Sequence, residues 1–408
     1  MALDAEILVA GGGIVGTTLA IALARSGIAV VLVDENRKID QVADDFDGRA
    51  YALSAASCKL LESLGLGPQL IEFGQPILSV RVFEGRPCEG PRGPVVEFGR
   101  GDAATWPLGR MVEDRFLRRA LLEEIESEPR ICRLGPTRVE AHSDRSDRVE
   151  VALANGDSLS VALLAGCDGR SSAVARLAGI ERGFHDYRQA SLVCAIEHEL
   201  DHSGTAYQFF MASGPLAILP LQLNRSSIVW TEQSDLAQRI NALGDNEYLE
   251  VLKPRFGDFL GSIALCGARR IIPLSLSVAE RFVAGRVALA GDAAQGIHPI
   301  AGQGLNLGFR DAAALAEIVV LARRRGEDIG SSGVLGRYER WRRFDSASII
   351  GVTHGANFIF SSDSEIISLI RSAGMAAINR LPMVRRRLAR EAAGLAGELP
   401  SLMRTGTI

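Results

Sequence analysis

Apolar positions along this chain fall into three rhythms, and each predicts a different kind of element. Short unbroken runs, Ile7 to Ala10, Val30 to Val33 and Val287 to Ala290, have the character of parallel strands buried on both faces. Between the first two lies a helix that opens at Ile14 and stops near Gly27, a residue suited to the left-handed position that ends helices. A second helix opens around Gly304-Leu305-Asn306 and runs through Ala312 to Val319, apolar around most of its surface. Residues 181–276 are instead rich in strand signals, and the stretch 74–99 is expected to join the same sheet. There, Trp230 and Phe209-Phe210 read as sheet residues, shared between core and a substrate pocket. Beyond 331 the rhythm turns helical: Ile366, Ile367, Ile370, Met375, Ile378, Met383, Val384 and Leu388 alternate with basic residues.

These elements predict an α/β fold in three parts. A discontinuous Rossmann-like nucleotide-binding domain takes 1–73, 100–180 and 277–330, a β-sheet substrate domain takes 74–99 and 181–276, and a helical region takes 331–408. The length of 408 residues exceeds what one core usually serves, and 47% hydrophobic residues with 43 glycines exclude general disorder. A net charge of −4 gives no overall basic field, so no nucleic-acid partner is expected. The charge is uneven, however. From Leu321 onward 14 Arg face 8 Asp or Glu, leaving the tail near +6 and the remainder near −10. That tail reads as a helical lid with a solvated basic face, or as a surface that docks a membrane or a partner. The opening MALDAEILVAGGG reads without a secretory signal, and apolar runs fall well short of the ~18 residues of a membrane span. The six cysteines are scattered without a CxxC pair, as expected of reduced thiols in a cytosolic protein.

Two glycine-rich loops carry the candidate chemistry. In the first, Gly11, Gly13 and Gly16 follow a strand at G-x-G-x-x-G spacing and open a helix. Gly11 permits the turn, Gly13 lets the backbone approach a pyrophosphate, and Gly16 lets the helix pack on its strand. The helix N-terminus faces the anion, and Asp34, ending the next strand, can accept bonds from ribose hydroxyls. This motif does not separate NAD from FAD. The second loop, GDAAQGIHPIAGQGLN (291–306), also follows a strand and also opens a helix. It lacks a Walker lysine, so a second phosphate site is not expected. One long cofactor held at both ends fits better. In FAD, Asp292 would meet the ribityl chain, and the helix start would face the N1–C2=O edge that becomes anionic on reduction.

HELDH (198–202) matches the HExxH pattern of zinc proteases, but that pattern works on a helix. Its surroundings read as a strand, in which His198 and His202 would lie roughly 13 Å apart, too far for one zinc. No metal site is expected. His298, inside the second loop, could donate a proton to flavin or substrate, or serve only structure.

Five blocks carry a resemblance: GGGIVG (11–16), DGRAYALSAAS (47–57), LGRMVEDRFLRRALLE (108–123), CDGRSSAVARLAGI (167–180) and GDAAQGIHPIAGQGLNLGFRD (291–311). On these the chain resembles the FAD-dependent aromatic hydroxylases, and within them the ubiquinone-biosynthesis hydroxylases. The resemblance implies a glutathione-reductase-type FAD domain with a sheet domain like that of para-hydroxybenzoate hydroxylase. It implies FAD contacts from Gly11, Gly13, Ile14, Val15, Gly16, Asp34, Glu35, Arg49, Arg115, Asp168, Gly291, Asp292, Gly302, Gly304, Leu305 and Asn306. Main chain at Val139 would meet adenine, and main chain at Pro299 would lie beside the flavin, with His298 the other candidate catalytic residue. The implied activity is hydroxylation of a polyprenylated phenol on the route to ubiquinone, through a flavin C4a-hydroperoxide. O2 is the co-substrate, and NAD(P)H or an electron-transfer protein the reductant. The implied location is cytoplasmic and peripheral on the inner membrane, in a ubiquinone-biosynthesis complex. Two alternatives stand beside it: a hydroxylase of a soluble aromatic acid, and a non-catalytic protein that binds FAD and a quinone precursor.

Overall fold

The computed structural model describes residues 3–37, 45–86, 90–103, 105–211, 213–255, 257–296, 303–360 and 381–408, with side chains described except at 85–86, 90–95 and 347–360. Among these residues the chain forms two eight-stranded sheets and one of three strands. In the first sheet Val287–Leu289, Ser158–Gly166, Ala5–Ala10, Val30–Val33 and Ile131–Leu134 lie side by side and parallel. The antiparallel ribbon Val139–Asp144 and Val149–Leu153 extends from Ser158–Gly166. Ile7, Leu8, Leu164, Ala165, Val287 and Ala288 are fully buried, which is why these strands read as unbroken apolar runs. The helix Ile14–Arg25 is buried along nearly its whole length and ends at Ser26-Gly27, with Gly27 at φ +86°. The long helix Gln303–Arg324 packs beside it.

The second sheet runs in the order Gln295–Gly296, Ile263–Ala279, Arg182–His198, Arg225–Gln233, Gly214–Leu221, Thr205–Met211, Ser79–Arg86, Gly90–Phe98. Strand Ser79–Arg86 enters it parallel to Thr205–Met211, with Val82 beside Gln208 and Phe83 beside Phe209. Strand alternation divides the two faces. Phe209 and Trp230 are fully buried on the outer face, in a core closed by Ala237, Ile240, Tyr248 and Leu252 from the helices Ser234–Asn241 and Asp245–Leu252. Ala206, Gln208 and Phe210 take the opposite face, towards the three-stranded sheet of Ala50–Ser54, Gly109–Glu113 and Gln75–Ile77. Of the aromatic residues singled out in the sequence, Trp230 and Phe209 are therefore core, and Phe210 faces inward to a cavity.

After the helix Ser332–Phe360, whose Tyr338 Oη donates to the Leu289 carbonyl at 2.7 Å, the described chain resumes at Leu381. The helix Pro382–Ala392 buries Ala389 against Val96, Phe98 and Leu108, and Leu402 and Met403 return to the core of the first sheet. Its other face leaves Met383, Arg386, Arg387 and Arg390 exposed. Ile366, Ile367, Ile370, Met375 and Ile378 lie outside the described residues. Among the described residues no helix is long and apolar enough to cross a membrane.

Candidate active site

Three motifs far apart in sequence meet at one edge of the first sheet. Its parallel register sets Ala10 beside Gly166 and Gly166 beside Leu289, so the turns that follow lie side by side. Cys167 N–H donates to the Ala10 carbonyl at 2.7 Å, and Ala290 N–H donates to Gly166 at 2.9 Å. Gly11, Cys167-Asp168 and Gly291-Asp292 thus emerge together at the carboxyl ends of the strands, where open parallel sheets bind nucleotides. Val15 in the first helical turn lies against both Gly291 and Gly308, joining the two glycine-rich loops.

The first loop has the form of a pyrophosphate cradle. Gly11 sits at φ +105°, and a Cβ there would meet the Cys167 carbonyl oxygen at 2.4 Å. A Cβ on Gly16 would lie 2.0 Å from the Gly11 oxygen, so helix and turn are in direct contact. Gly13 caps the helix without a side-chain bond, no acidic residue occupies the first turn, and nothing lies within 4 Å of where its Cβ would be. Ile14 and Val15 complete an N-terminus open to an anion. Asp34 follows the strand Val30–Val33 and is 4% exposed, with one carboxylate oxygen accepting from Asn36 N–H at 2.7 Å and Glu35 exposed beside it. The other oxygen lies over Gly12, where a Cβ would approach it to 2.2 Å. Gly12, which the G-x-G-x-x-G spacing does not single out, thus gives the Asp34 carboxylate its room.

Around this cradle charges are tightly paired. Asp114, 2% exposed, accepts from Tyr51 Oη at 2.6 Å and Arg118 Nε at 2.9 Å, and pairs with Arg49 Nη2 at 3.0 Å. Burial and the Asp114 charge raise the Tyr51 pKa, so its hydroxyl stays protonated as a donor. Arg49 also bonds Asp47 at 2.7 Å, leaving its guanidinium oriented but partly exposed. Arg115 pairs with Glu113 at 2.8 Å and stacks 4.5 Å over Phe116. The Asp168 carboxylate accepts from Ser172 Oγ and from the main-chain N–H groups of Ala173 and Val174, so it braces its own turn. Val139 is buried at the start of its strand.

The second loop is anchored from below. Gly291 N–H donates to Asp311 Oδ2 at 3.0 Å; Asp311 is fully buried and pairs at 2.6 Å with Arg342, also fully buried. Burial pushes the Asp311 carboxyl above the ordinary aspartate range, and Arg342 opposes that rise. Arg342 reaches on to Asp345 at 2.6 Å. Asp292 is half-exposed, with one oxygen 3.1 Å from Arg170 Nε, while its carbonyl receives Arg182. Gly304, Leu305 and Asn306 form the start of the helix Gln303–Arg324. The Asn306 amide binds Ser54 N–H, Ser57 Oγ and the Ala52 carbonyl, so it ties this helix to the three-stranded sheet. His298, Pro299 and Gly302 lie outside the described residues.

Beside Asn306 a cavity of about 200 Å³ opens between the three-stranded sheet and the inner face of the second sheet. Leu53, Ile77, Val80, Val82, Phe98, Leu108, Phe210 and Leu219 give it apolar walls. Ser54, Gln208, Gln303 and Asn306 provide polar side chains, Tyr207 also borders it, and no charged side chain lies among the described lining residues.

The model of the FAD binding domain family matches residues 4–348. A ubiquinone hydroxylase, UbiL, of Rhodospirillum rubrum is 40% identical over 403 residues, covering 98% of this chain and 92% of its own. The chain is an FAD-dependent aromatic hydroxylase of the ubiquinone-biosynthesis family. The 3-demethoxyubiquinol 3-hydroxylase of Escherichia coli is 31% identical, over 96% of this chain and 98% of its own. The solved p-nitrophenol 4-monooxygenase of Pseudomonas putida DLL-E4 shares the fold at a TM-score of 0.80 and 20% identity, covering 98% of this chain and 100% of that one. The cradle, its open Gly13 face and the buried Asp34 fit the dinucleotide that this family binds.

The HELDH segment of this hydroxylase corrects the extended geometry expected from sequence. The strand stops at His198, and the chain turns back through Ser203 and Gly204, at φ +50° and +64°. The two imidazoles therefore meet edge to face, with centroids 5.5 Å apart instead of roughly 13 Å. They are nevertheless hydrogen-bonded to protein: His198 to the Leu200 carbonyl and Ser226 Oγ, His202 to the Leu221 carbonyl and Gly204 N–H. Burial lowers the His198 pKa, which favours a neutral ring.

Proposed function

We propose that this hydroxylase acts on a neutral, polyprenylated phenol, with the uncharged cavity beside Asn306 as the ring-binding chamber. The carrying observation is the lining: apolar walls, a few amides and hydroxyls, and no cation among the described residues to meet a carboxylate. An aromatic acid brought there would lose its hydration without gaining a counter-ion, a cost of several kcal/mol on the order of magnitude. Size points the same way. A cavity of about 150 Å³ takes a benzene-sized molecule, so about 200 Å³ suits a substituted ring but not a prenyl tail.

The tail must then leave along Val80, Val82 and Phe98, which pack with the helix Pro382–Ala392. When bound and reduced, FAD supplies the activation of O2 that delivers one oxygen atom to the ring; the other leaves as water. Electrons come from NAD(P)H or an electron-transfer protein. The chain's own residues act by holding and drying. Asp34, the main chain at Gly13 and Arg49 hold the dinucleotide half, and Asp292 with the helix start at 304–306 holds the flavin half. The apolar chamber walls exclude water that would divert activated oxygen to H2O2. Purified, FAD-loaded protein is expected to hydroxylate a short-chain prenylphenol at least tenfold faster than 4-hydroxybenzoate. Equal rates would remove the case for a neutral substrate.

The exposed face of the helix Pro382–Ala392 supports a peripheral location on the cytoplasmic face of the inner membrane. Met383 is 84% exposed, and Arg386, Arg387 and Arg390 surround it, an arrangement suited to anionic headgroups over an apolar layer. Co-sedimentation with phosphatidylglycerol vesicles is expected, and Arg386→Glu with Arg387→Glu should weaken it about tenfold or more. Binding unchanged by that reversal contradicts the lipid reading and favours a partner protein of a quinone-biosynthesis complex at this face.

A further inference from the structure

We infer that Gln208 is the residue that positions the phenol hydroxyl of the substrate, acting as its hydrogen-bond acceptor from the roof of the chamber; this rests on the neutral-phenol reading above. The strand Thr205–Met211 alternates: Ala206, Gln208 and Phe210 line the cavity, and Tyr207, which also borders it, packs its ring with Phe209 in the outer core. The Tyr207 ring lies 4.5 Å from Phe259 and 6.4 Å from Phe83, with that outer core.

Ser54 and Asn306, two other polar groups of the chamber, are engaged with neighbouring protein groups. Ser54 Oγ receives Ser57 N–H and bonds Ser57 Oγ, and both ends of the Asn306 amide are bound to 52–57. Gln208 lines the same chamber, and its Nε2 donates to the Leu216 carbonyl at 3.3 Å, so Oε1 is the atom of the amide that can accept a bond. A carboxamide oxygen between Val82 and Phe210 is poorly served by its apolar neighbours, and a phenol O–H is the complementary donor. Accepting that proton's bond also draws electron density into the ring and makes it a better nucleophile toward electrophilic oxygen. A neutral amide can do this without deprotonating the phenol, so Gln208 orients and polarises but does not act as a base. It also gives the site a test for a free hydroxyl, because a methyl ether has no proton to offer.

The experiment uses the FAD-loaded full chain and compares equilibrium binding of a short 2-prenylphenol with binding of its methyl ether. Wild type is expected to prefer the phenol about tenfold or more. Gln208→Met keeps length and volume and should bind the two within about twofold, as should Gln208→Leu. Retained flavin and unchanged melting in either variant show that the fold is intact. A preserved phenol preference in an intact variant, or a wild type blind to the ether, overturns the inference. The neutral-substrate reading fails separately, when wild type binds 4-hydroxybenzoate as well as the prenylphenol.

Discussion

Gly12→Val is expected to give a folded protein that purifies almost colourless. A Cβ at this position would lie 2.2 Å from Asp34 Oδ2 and 2.9 Å from its Cγ, well inside contact distance. The Asp34 backbone cannot yield: its N–H donates to the Leu134 carbonyl at 3.0 Å and its carbonyl receives Thr137 N–H at 2.8 Å. The carboxylate must therefore swing away from the place where it would accept ribose hydroxyls. Losing two bonds to a charged acceptor, at about 1.5–3 kcal/mol each, weakens FAD affinity on the order of a hundredfold or more. Flavin content after purification, followed by titration of apoprotein with FAD, reads this directly. Flavin content and affinity equal to wild type would show that Asp34 does not hold the cofactor.

Arg342→Ala should cost about 3–5 kcal/mol of stability, the largest effect expected of a residue distant from substrate. Arg342 and Asp311 are both fully buried, and removing the guanidinium strands the Asp311 carboxylate without a counter-ion. Burial already raises the Asp311 pKa, and removing Arg342 takes away the largest influence opposing that rise, which favours the neutral carboxyl. A neutral carboxyl is a weaker acceptor for Gly291 N–H, so the second loop loosens along with the fold. The variant should unfold at clearly lower urea concentration and release FAD more readily. Adding Asp311→Asn should recover part of the loss, because the stranded charge is gone. A melting curve and flavin retention that match wild type would contradict this assignment.

These two residues mark the boundary of what the sequence discloses. Asp34 was legible because its strand, turn, helix and acid lie within thirty or so consecutive residues, where local spacing fixes geometry. The second loop was legible for the same reason, since strand, glycines and helix again follow one another. Arg342 was not, because its partner sits 31 residues away on another helix, and only their packing makes them neighbours. Gln208 was passed over beside the conspicuous pair Phe209-Phe210. Which of Tyr207, Gln208, Phe209 and Phe210 faces the chamber depends on strand register, which the pattern alone leaves open. The His198–His202 distance was misjudged because the strand was carried past its true end. The turn at Ser203-Gly204 reverses the chain and brings the rings together. Gly12 was missed because a close contact to a side chain 22 positions later has no periodic signature.

The most direct test of the account is a single-turnover experiment under 18O2. FAD-loaded protein is reduced without oxygen, mixed with a short-chain prenylphenol, exposed to 18O2, and the extracted phenol is weighed by mass spectrometry. One labelled oxygen atom per ring, at a yield approaching one product per flavin, is the predicted result. Flavin reoxidised to completion with all of the label recovered as peroxide, and no heavier ring compound, would contradict it.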